Sequence, residues 1–107
     1  MFARTLELTV RDAKKPELIK KIKSEILPIL NKQVGFVETF ALENEVEMNK
    51  CVVLSFWHTK VDAERYEKDT FPKIKQLLEP FLVVPPIVKT FNVEETVSEK
   101  FTQTLAA

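Results

Sequence analysis

The sequence predicts a single α+β domain in the order strand-helix-strand-strand-helix-strand. Four segments alternate apolar and polar residues or are rich in β-branched and aromatic residues, which is typical of strands. Two other segments repeat apolar residues at spacings of three and four, which is typical of helices that cover one side of a sheet. In a chain of 107 residues, the size of one domain, we expect a four-stranded antiparallel sheet with its helices on one face.

The first strand is predicted over residues 2–10, where apolar side chains occupy even positions. Arg4 interrupts this row, and a charged side chain in an otherwise apolar row must be paired or reach solvent. Two partners remain open for it, a carboxylate of a partner subunit and a bound ligand. The apolar positions of the strand are Phe2, Leu6, Leu8 and Val10.

The first helix is predicted to begin at Pro16, whose fixed φ suits a first helical turn. Pro28 lies inside the same pattern, where it cannot donate to the carbonyl of Ser24, so a kink or a broken last turn is predicted. Gly35, the only glycine, then suits a turn with positive φ before the next strand. The apolar face of the helix consists of Leu18, Ile19, Ile22, Ile26, Ile29 and Leu30.

The second and third strands are predicted over residues 36–43 and 51–58, joined by a polar, acidic loop. Residues 51–57, CVVLSFW, are largely apolar on both faces. In a single sheet with helices on one side, the other face meets water and alternates cleanly. The pattern therefore predicts that a second copy of the chain covers that face.

The second helix is predicted to begin after Thr59, which has Asp62 three residues later in a variant of the capping box. Pro72 predicts a break and a restart in this helix. Since Pro85 and Pro86 cannot lie within a central strand, the last strand is expected to begin at Ile87. Residues 1–94 then form the domain, and residues 95–107 form a tail that is either a short docked helix or disordered.

Composition and spacing exclude several classes of function. Sixteen basic and sixteen acidic residues cancel, so neither nucleic acid nor a membrane surface is an expected partner. One glycine excludes glycine-rich phosphate loops, and we expect no nucleotide, flavin or metal cofactor. Cys51 and His58, seven positions apart in one strand, would point to opposite faces and form no catalytic pair. A lone cysteine and no apolar run of membrane-spanning length make the cytoplasm the expected location.

Aromatic residues with a few polar neighbours are the remaining candidates for a small-molecule site. The candidate catalytic residues are Trp57, His58 and Tyr66. For each there is also a structural interpretation: Trp57 as a packing anchor, His58 as a solvated residue before the helix cap, and Tyr66 as part of the helix face. The candidate ligand-binding residues are Arg4, Phe40, Phe56, Phe91 and Asn92.

Residues 34–93 resemble the dimeric α+β barrel superfamily, and within it the antibiotic biosynthesis monooxygenase-like domains. The resemblance includes the late proline at Pro28, the turn Val34–Phe36, the segment LSFWHTK at Leu54–Lys60, and a last strand entered through proline. It also includes Asp62-Ala63-Glu64 and Asp69-Thr70-Phe71. The resemblance implies a ferredoxin-like subunit whose sheet packs against that of a second subunit. It also implies a cofactor-independent monooxygenase that acts on a small aromatic or quinone-like compound in an apolar pocket.

The haem-degrading branch of that superfamily is similar around Trp57 but differs at three positions. This chain has Tyr66 in place of a second tryptophan, Gln76 in place of a haem-ligating histidine, and Thr5 near the position of an asparagine. These differences count against haem degradation. The alternative to an enzyme is a non-catalytic homodimeric module that binds a small hydrophobic ligand or a protein partner.

Overall fold

A computed structural model describes residues 1–93 of the chain, and the predicted tail lies outside the described residues. Four strands form one antiparallel sheet in the order β2-β3-β1-β4. The strands are β1 (Phe2–Thr9), β2 (Phe36–Glu43), β3 (Lys50–Trp57) and β4 (Ile87–Asn92). The predicted element order and the antiparallel α+β architecture are confirmed, and the sheet has the strand order of a ferredoxin-like fold. β3 ends one residue before His58, and Val10 forms only an isolated bridge with Leu82.

The helices lie on one face of this sheet, as predicted. The first helical segment consists of α1 (Lys15–Lys21), a π-helical turn (Ile22–Ile26) and α2 (Leu27–Asn31). The second consists of α3 (Lys60–Asp69) and α4 (Phe71–Leu78), followed by a short 3₁₀ turn at Glu79–Phe81. Thr59 caps α3 by accepting a hydrogen bond from the backbone N–H of Asp62 at 3.1 Å. The predicted interruption at Pro72 is the boundary between α3 and α4.

Pro28 explains the irregular middle of the first helical segment. It has no N–H to donate to the carbonyl of Ser24, and its ring crowds that turn. The backbone widens just before it, and the N–H of Leu27 donates to the carbonyl of Ile22, five residues back, instead of four. The predicted kink thus takes the form of a π-helical turn.

Gly35 fixes the connection between α2 and β2. Its φ is +81°, in the region that glycine adopts without steric cost. Its carbonyl accepts a hydrogen bond from the backbone N–H of His58 at 2.8 Å, which ties the start of β2 to the end of β3. A Cβ at this position would overlap the side chain of Asp62, so the turn, the strand end and the cap of α3 share one small space.

The inner face of the sheet, which the helices cover, is organised in cross-strand rows. An aromatic row contains Phe36, Trp57 and Phe2, and an aliphatic row contains Ala41, Val53, Leu6 and Val88. Between them lies a polar row, in which Thr39 pairs with Ser55, Ser55 with Arg4, and Arg4 with Thr90. Arg4 and Ser55 are both buried. A polar stripe therefore crosses the interior between two apolar ones.

The opposite face of the sheet, which we call the open face, is also apolar. Phe40, Leu42, Ile87 and Phe91 are each about half exposed on its edge strands, at 50–53% of their full surface. Between these edges, Val52, Leu54 and Phe56 of β3 alternate with the inward-facing residues of the same strand. β3 therefore has the two apolar faces that the sequence predicted.

Among residues 1–93, no helix is both long enough and apolar enough to cross a membrane.

Candidate functional site

A small cavity lies between the inner face of the sheet and the helices. Its volume is about 40 Å³, which is room for a few water molecules. The helical side of its wall is apolar and includes Ile22 and Ile26 of the π-helical turn, and the sheet side contains Thr39, Ser55 and Arg4 of the polar row. Tyr66 of α3 also lines it. The arrangement, an apolar space with polar groups on one wall, is typical of sites for small organic molecules.

Trp57 does not line the cavity but packs against two residues that do, Tyr66 and Ser55. The ring centroids of Trp57 and Tyr66 are 4.7 Å apart at an interplanar angle of 31°, and Phe36 packs edge-on against Trp57 at 5.5 Å. The indole Nε1–H of Trp57 donates to Ser55 Oγ at 3.1 Å. Trp57 is wholly buried, and its polar atom is paired within the site.

Arg4 is held between the sheet and the second helical segment. Its Nη2 donates to Glu67 Oε2 of α3 at 2.8 Å, in an ion pair whose arginine is 2% exposed and whose glutamate is 46% exposed. Its Cζ lies 5.0 Å from the ring centroid of Tyr66 and 4.8 Å from that of Phe71, so the cation also contacts two aromatic rings. Its Nε is buried without a hydrogen-bond partner.

Burial sets the protonation state of Tyr66. It raises the pKa of the Tyr66 hydroxyl to about 12, because the phenolate is poorly solvated there, although the positive charge of Arg4 lowers this pKa. At neutral pH the hydroxyl is therefore protonated and able to donate a hydrogen bond. Arg4 and Tyr66 are then both donors at the polar wall.

The structure brings together three of the residues that the sequence singled out, Trp57, Tyr66 and Arg4. It places His58 after the end of β3, exposed and outside the cavity lining. Asn92 lies at the end of β4, opposite Phe2, and is exposed. The remaining three candidates, Phe40, Phe56 and Phe91, lie on the open face. The ring centroids of Phe40 and Phe56 are 6.3 Å apart. The predicted roles of all these residues stay predictions.

Sequence reasoning missed Ser55, Thr39, Glu67 and Phe71 as parts of this site. Ser55 shares the face of Trp57 because it lies two positions earlier in the same strand, so period-two alternation was a signal for it. Glu67 follows Tyr66 directly, and nothing in the sequence links it to Arg4, 63 residues away. Within residues 1–93, no group of three or more His, Cys, Asp and Glu side chains is placed to hold a metal ion.

Comparison with solved structures supplies the family of folds. A putative antibiotic biosynthesis monooxygenase from Bordetella bronchiseptica superposes with a TM-score of 0.74 at 10% sequence identity, covering 87% of this chain and 96% of that one. The chain has an antibiotic biosynthesis monooxygenase-like fold. No family model matches the sequence, and no curated protein matches it.

Two other structures with this monooxygenase-like fold have descriptions that bear on chemistry. One is a monooxygenase from the gene ActVA-Orf6 of Streptomyces coelicolor in complex with nanaomycin D, with a TM-score of 0.73, 14% identity and coverage of 87% of each chain. The other is SnoaB, a cofactor-independent oxygenase from Streptomyces nogalater, with a TM-score of 0.70, 17% identity, and coverage of 87% of this chain and 92% of that one. At sequence identities this low, the similarity shows only that this chain has the same monooxygenase-like fold.

The raised pKa of Tyr66 predicts an alkaline titration that can be observed directly. Since Tyr66 is the only tyrosine, tyrosinate absorbance reports this residue alone. We expect a midpoint near pH 12 in the folded protein and near pH 10 in denaturant. Stability that is present below pH 10 should be lost as pH rises from 10 to 12, by up to about 3 kcal/mol, and Tyr66→Phe should lack this loss. A midpoint near 10 in the folded protein would show that the ring is not buried as described.

Proposed function

We propose that the protein is a monooxygenase that acts, without a metal or flavin, on a small aromatic or quinone-like compound held in the cavity beside Arg4 and Tyr66. The observation that carries the proposal is the polar wall of this otherwise apolar cavity. An aromatic body would pack against the apolar wall, and its oxygen would accept a hydrogen bond from the Tyr66 hydroxyl. The oxygenase and the nanaomycin D complex that share the fold support this substrate class.

The reaction requires a substrate that itself supplies electrons. For an activated CH₂ group between aromatic or carbonyl groups, the overall change is R₂CH₂ + O₂ → R₂C=O + H₂O. One oxygen atom enters the substrate, and the other leaves as water with the two hydrogens of the CH₂ group. The protein binds and orients the substrate, excludes bulk water and stabilises the negative charge that develops on the substrate oxygen as the CH₂ group loses a proton.

Substrate entry requires the cavity wall to move, because about 40 Å³ does not hold an aromatic ring. The π-helical turn is the place in the wall where the regular backbone hydrogen bonding is already interrupted, and such turns recur at functional sites. We propose that Ile22 and Ile26 move outward with this turn when a ligand binds.

We further propose that the protein functions as a homodimer in which the open faces of two copies pack together. The half-exposed Phe40, Leu42, Ile87 and Phe91 surround a sheet centre that is also apolar, and monomers rarely leave such a patch in water. Glu7 and Lys89, two of the charged residues on this face, form an ion pair with each other at 3.0 Å, so neither is left as an unpaired charge against a second copy. A two-fold axis would then bring like apolar surfaces together.

The alternative is a non-catalytic homodimeric module that binds a small hydrophobic ligand or a protein partner. The complete burial of Trp57 and the small size of the cavity favour it, because aromatic side chains that serve only as core are fully packed and leave little room for a substrate.

Oxygen consumption tests the monooxygenase proposal. We expect a rate above the protein-free background with at least one member of a panel of phenols and hydroquinones that carry an activated CH₂ group, and incorporation of one labelled oxygen atom into the product. Tyr66→Phe should lower this rate about a hundredfold. No uptake across the panel would favour the non-catalytic module.

His58→Ala tests whether the reaction takes place in the cavity or at His58, which lies at the exposed end of β3. A rate that survives this change places the reaction in the cavity, whereas its loss in a folded variant places the reaction at His58 and contradicts the proposal. Trp57→Ala is not a useful activity variant, since removing a wholly buried tryptophan costs about 3–5 kcal/mol of stability.

Sedimentation velocity tests the homodimer with a matched pair of variants. Phe91→Glu puts a charge on the open face, and Val61→Glu puts the same charge on an exposed position of α3, 62% exposed, in the helical layer. We expect the wild type and Val61→Glu to sediment as dimers at micromolar concentration, and Phe91→Glu to dissociate at least tenfold more readily. A monomeric wild type would refute the homodimer.

A further inference from the structure

The backbone groups on the two edges of the sheet can be assigned from its hydrogen bonds. In an antiparallel pair, residues that bond to the neighbouring strand alternate with residues whose N–H and C=O point away from it. The N–H of Asn44 donates to the carbonyl of Lys50, so even-numbered residues of β2 face β3 and odd-numbered ones point outward. The N–H of Val93 donates to the carbonyl of Met1, so odd-numbered residues of β4 face β1 and even-numbered ones point outward.

The outer edge of β2 is protected against further pairing. A bulge between Phe36 and Glu38 interrupts the register of β2 with β3. The outward N–H of Thr39 donates to the Glu38 carboxylate at 2.9 Å, so it is already paired. At the other end of the strand, Glu43 forms an ion pair with Lys15 of α1. Bulges and charged side chains are features by which proteins keep another strand from adding to an edge.

The outer edge of β4 lacks this protection. Its register with β1 is continuous over all six residues, without a bulge or an internal proline. The outward backbone groups belong to Val88, Thr90 and Asn92, and in the described part of the chain no side chain bonds to them. The one charged side chain of the strand, Lys89, lies on the open face and pairs with Glu7 of β1 at 3.0 Å. A further strand can therefore add to this edge.

We propose that β4 pairs in antiparallel orientation with β4 of a second copy, which joins two sheets into one continuous sheet. This interface goes beyond the proposed function and depends neither on the cavity nor on the open face. Pairing of β4 with β2 of another copy would repeat without end, and the protected edge of β2 prevents it. Pairing of β4 with itself occupies this edge in both copies, because a two-fold axis relates the two strands.

Hydrogen bonding and charge select the register of this pair. Only one register pairs every outward residue of both strands: Thr90 lies opposite Thr90 of the partner subunit, and Val88 lies opposite the partner's Asn92. In this register Lys89 faces the partner's Phe91, so no like charges meet, and two threonines form a favourable cross-strand pair. The neighbouring register on one side would place Lys89 opposite Lys89 of the partner subunit, which destabilises a strand pair.

Backbone amide exchange of the wild type tests the proposal without any substitution. The outward N–H of Thr90 should exchange fast in dilute protein and at least tenfold more slowly at millimolar concentration, where the strands pair. The outward N–H of Ala41, on the protected edge, is the matched control and should exchange at the same rate at both concentrations. An exchange rate of the Thr90 N–H that does not depend on concentration would overturn the proposal, since a second copy would then not cover it.

Disulfide cross-linking tests the register. In a background in which Cys51→Ala removes the native thiol, Thr90→Cys puts two cysteines directly opposite each other, with Cα atoms about 5.5 Å apart, within the range of a disulfide. We expect mild oxidation to link these chains into dimers. Ala41→Cys, at an exposed position of the protected edge, should react at least tenfold more slowly at the same protein concentration. Equal rates for the two variants would overturn the proposal.

Phe40→Glu separates this interface from the open-face dimer. Phe40 is half exposed on β2, so the substitution puts a charge on the open face and leaves the edge of β4 unchanged. We expect Thr90→Cys to cross-link equally well with and without it, and loss of cross-linking would overturn the proposal. A monomeric wild type at micromolar concentration whose Thr90→Cys variant cross-links refutes the open-face dimer alone. A dimeric wild type whose Thr90→Cys variant does not cross-link refutes the edge pairing alone.

Discussion

The buried guanidinium of Arg4 is the interaction on which the interior of this protein depends. It lies on a central strand, yet it contacts Tyr66 and Glu67 of α3 and Phe71 of α4, and so joins the sheet to the second helical segment. A buried cation is costly unless it is paired, and here one carboxylate and two rings provide the pairing. The same contacts place a donor beside the cavity, which links the stability of the fold to the chemistry of the site.

The second constraint is a sheet that is apolar on both faces. The helices cover the inner face, where the polar row lies, and leave Phe40, Leu42 and Phe91 half exposed on the open face. The inner face lines the cavity, and the open face is the surface that we propose for a second copy. In the proposed dimer, a ligand in the cavity would thus contact one subunit only, and the second subunit would cover the open face.

Much of the fold could be predicted because each boundary has a local chemical cause. Pro16, Gly35 and Thr59 act through their own backbone or side chain, and each lies where the structure has a helix start, a turn with positive φ, and a cap. The form of the irregularity at Pro28, a π-helical turn, was harder to predict from the sequence. Proline rules out a regular hydrogen bond, but whether the helix breaks or widens depends on how the apolar residues before it pack on the sheet.

The site was only partly predictable, for a related reason. Trp57 and Tyr66 were identified as candidates by residue type and position. Which face of an apolar strand turns inward could not be decided from alternation, because both faces are apolar, and the phenylalanines of the open face were therefore grouped with the cavity. The pairing of Arg4 with Ser55 and Glu67 depends on strand register and helix packing, which bring together residues that are far apart in sequence.

The most direct test of the account is a proton–nitrogen correlation spectrum of the arginine side chains in the free protein. The chain has three arginines, and Arg11 and Arg65 are exposed. We predict that one Nε–H signal, which disappears in Arg4→Gln, exchanges with solvent far more slowly than the other two because it is buried. Three Nε–H signals that exchange equally fast would show that Arg4 is in contact with water, and would contradict both the buried cation and the site built around it.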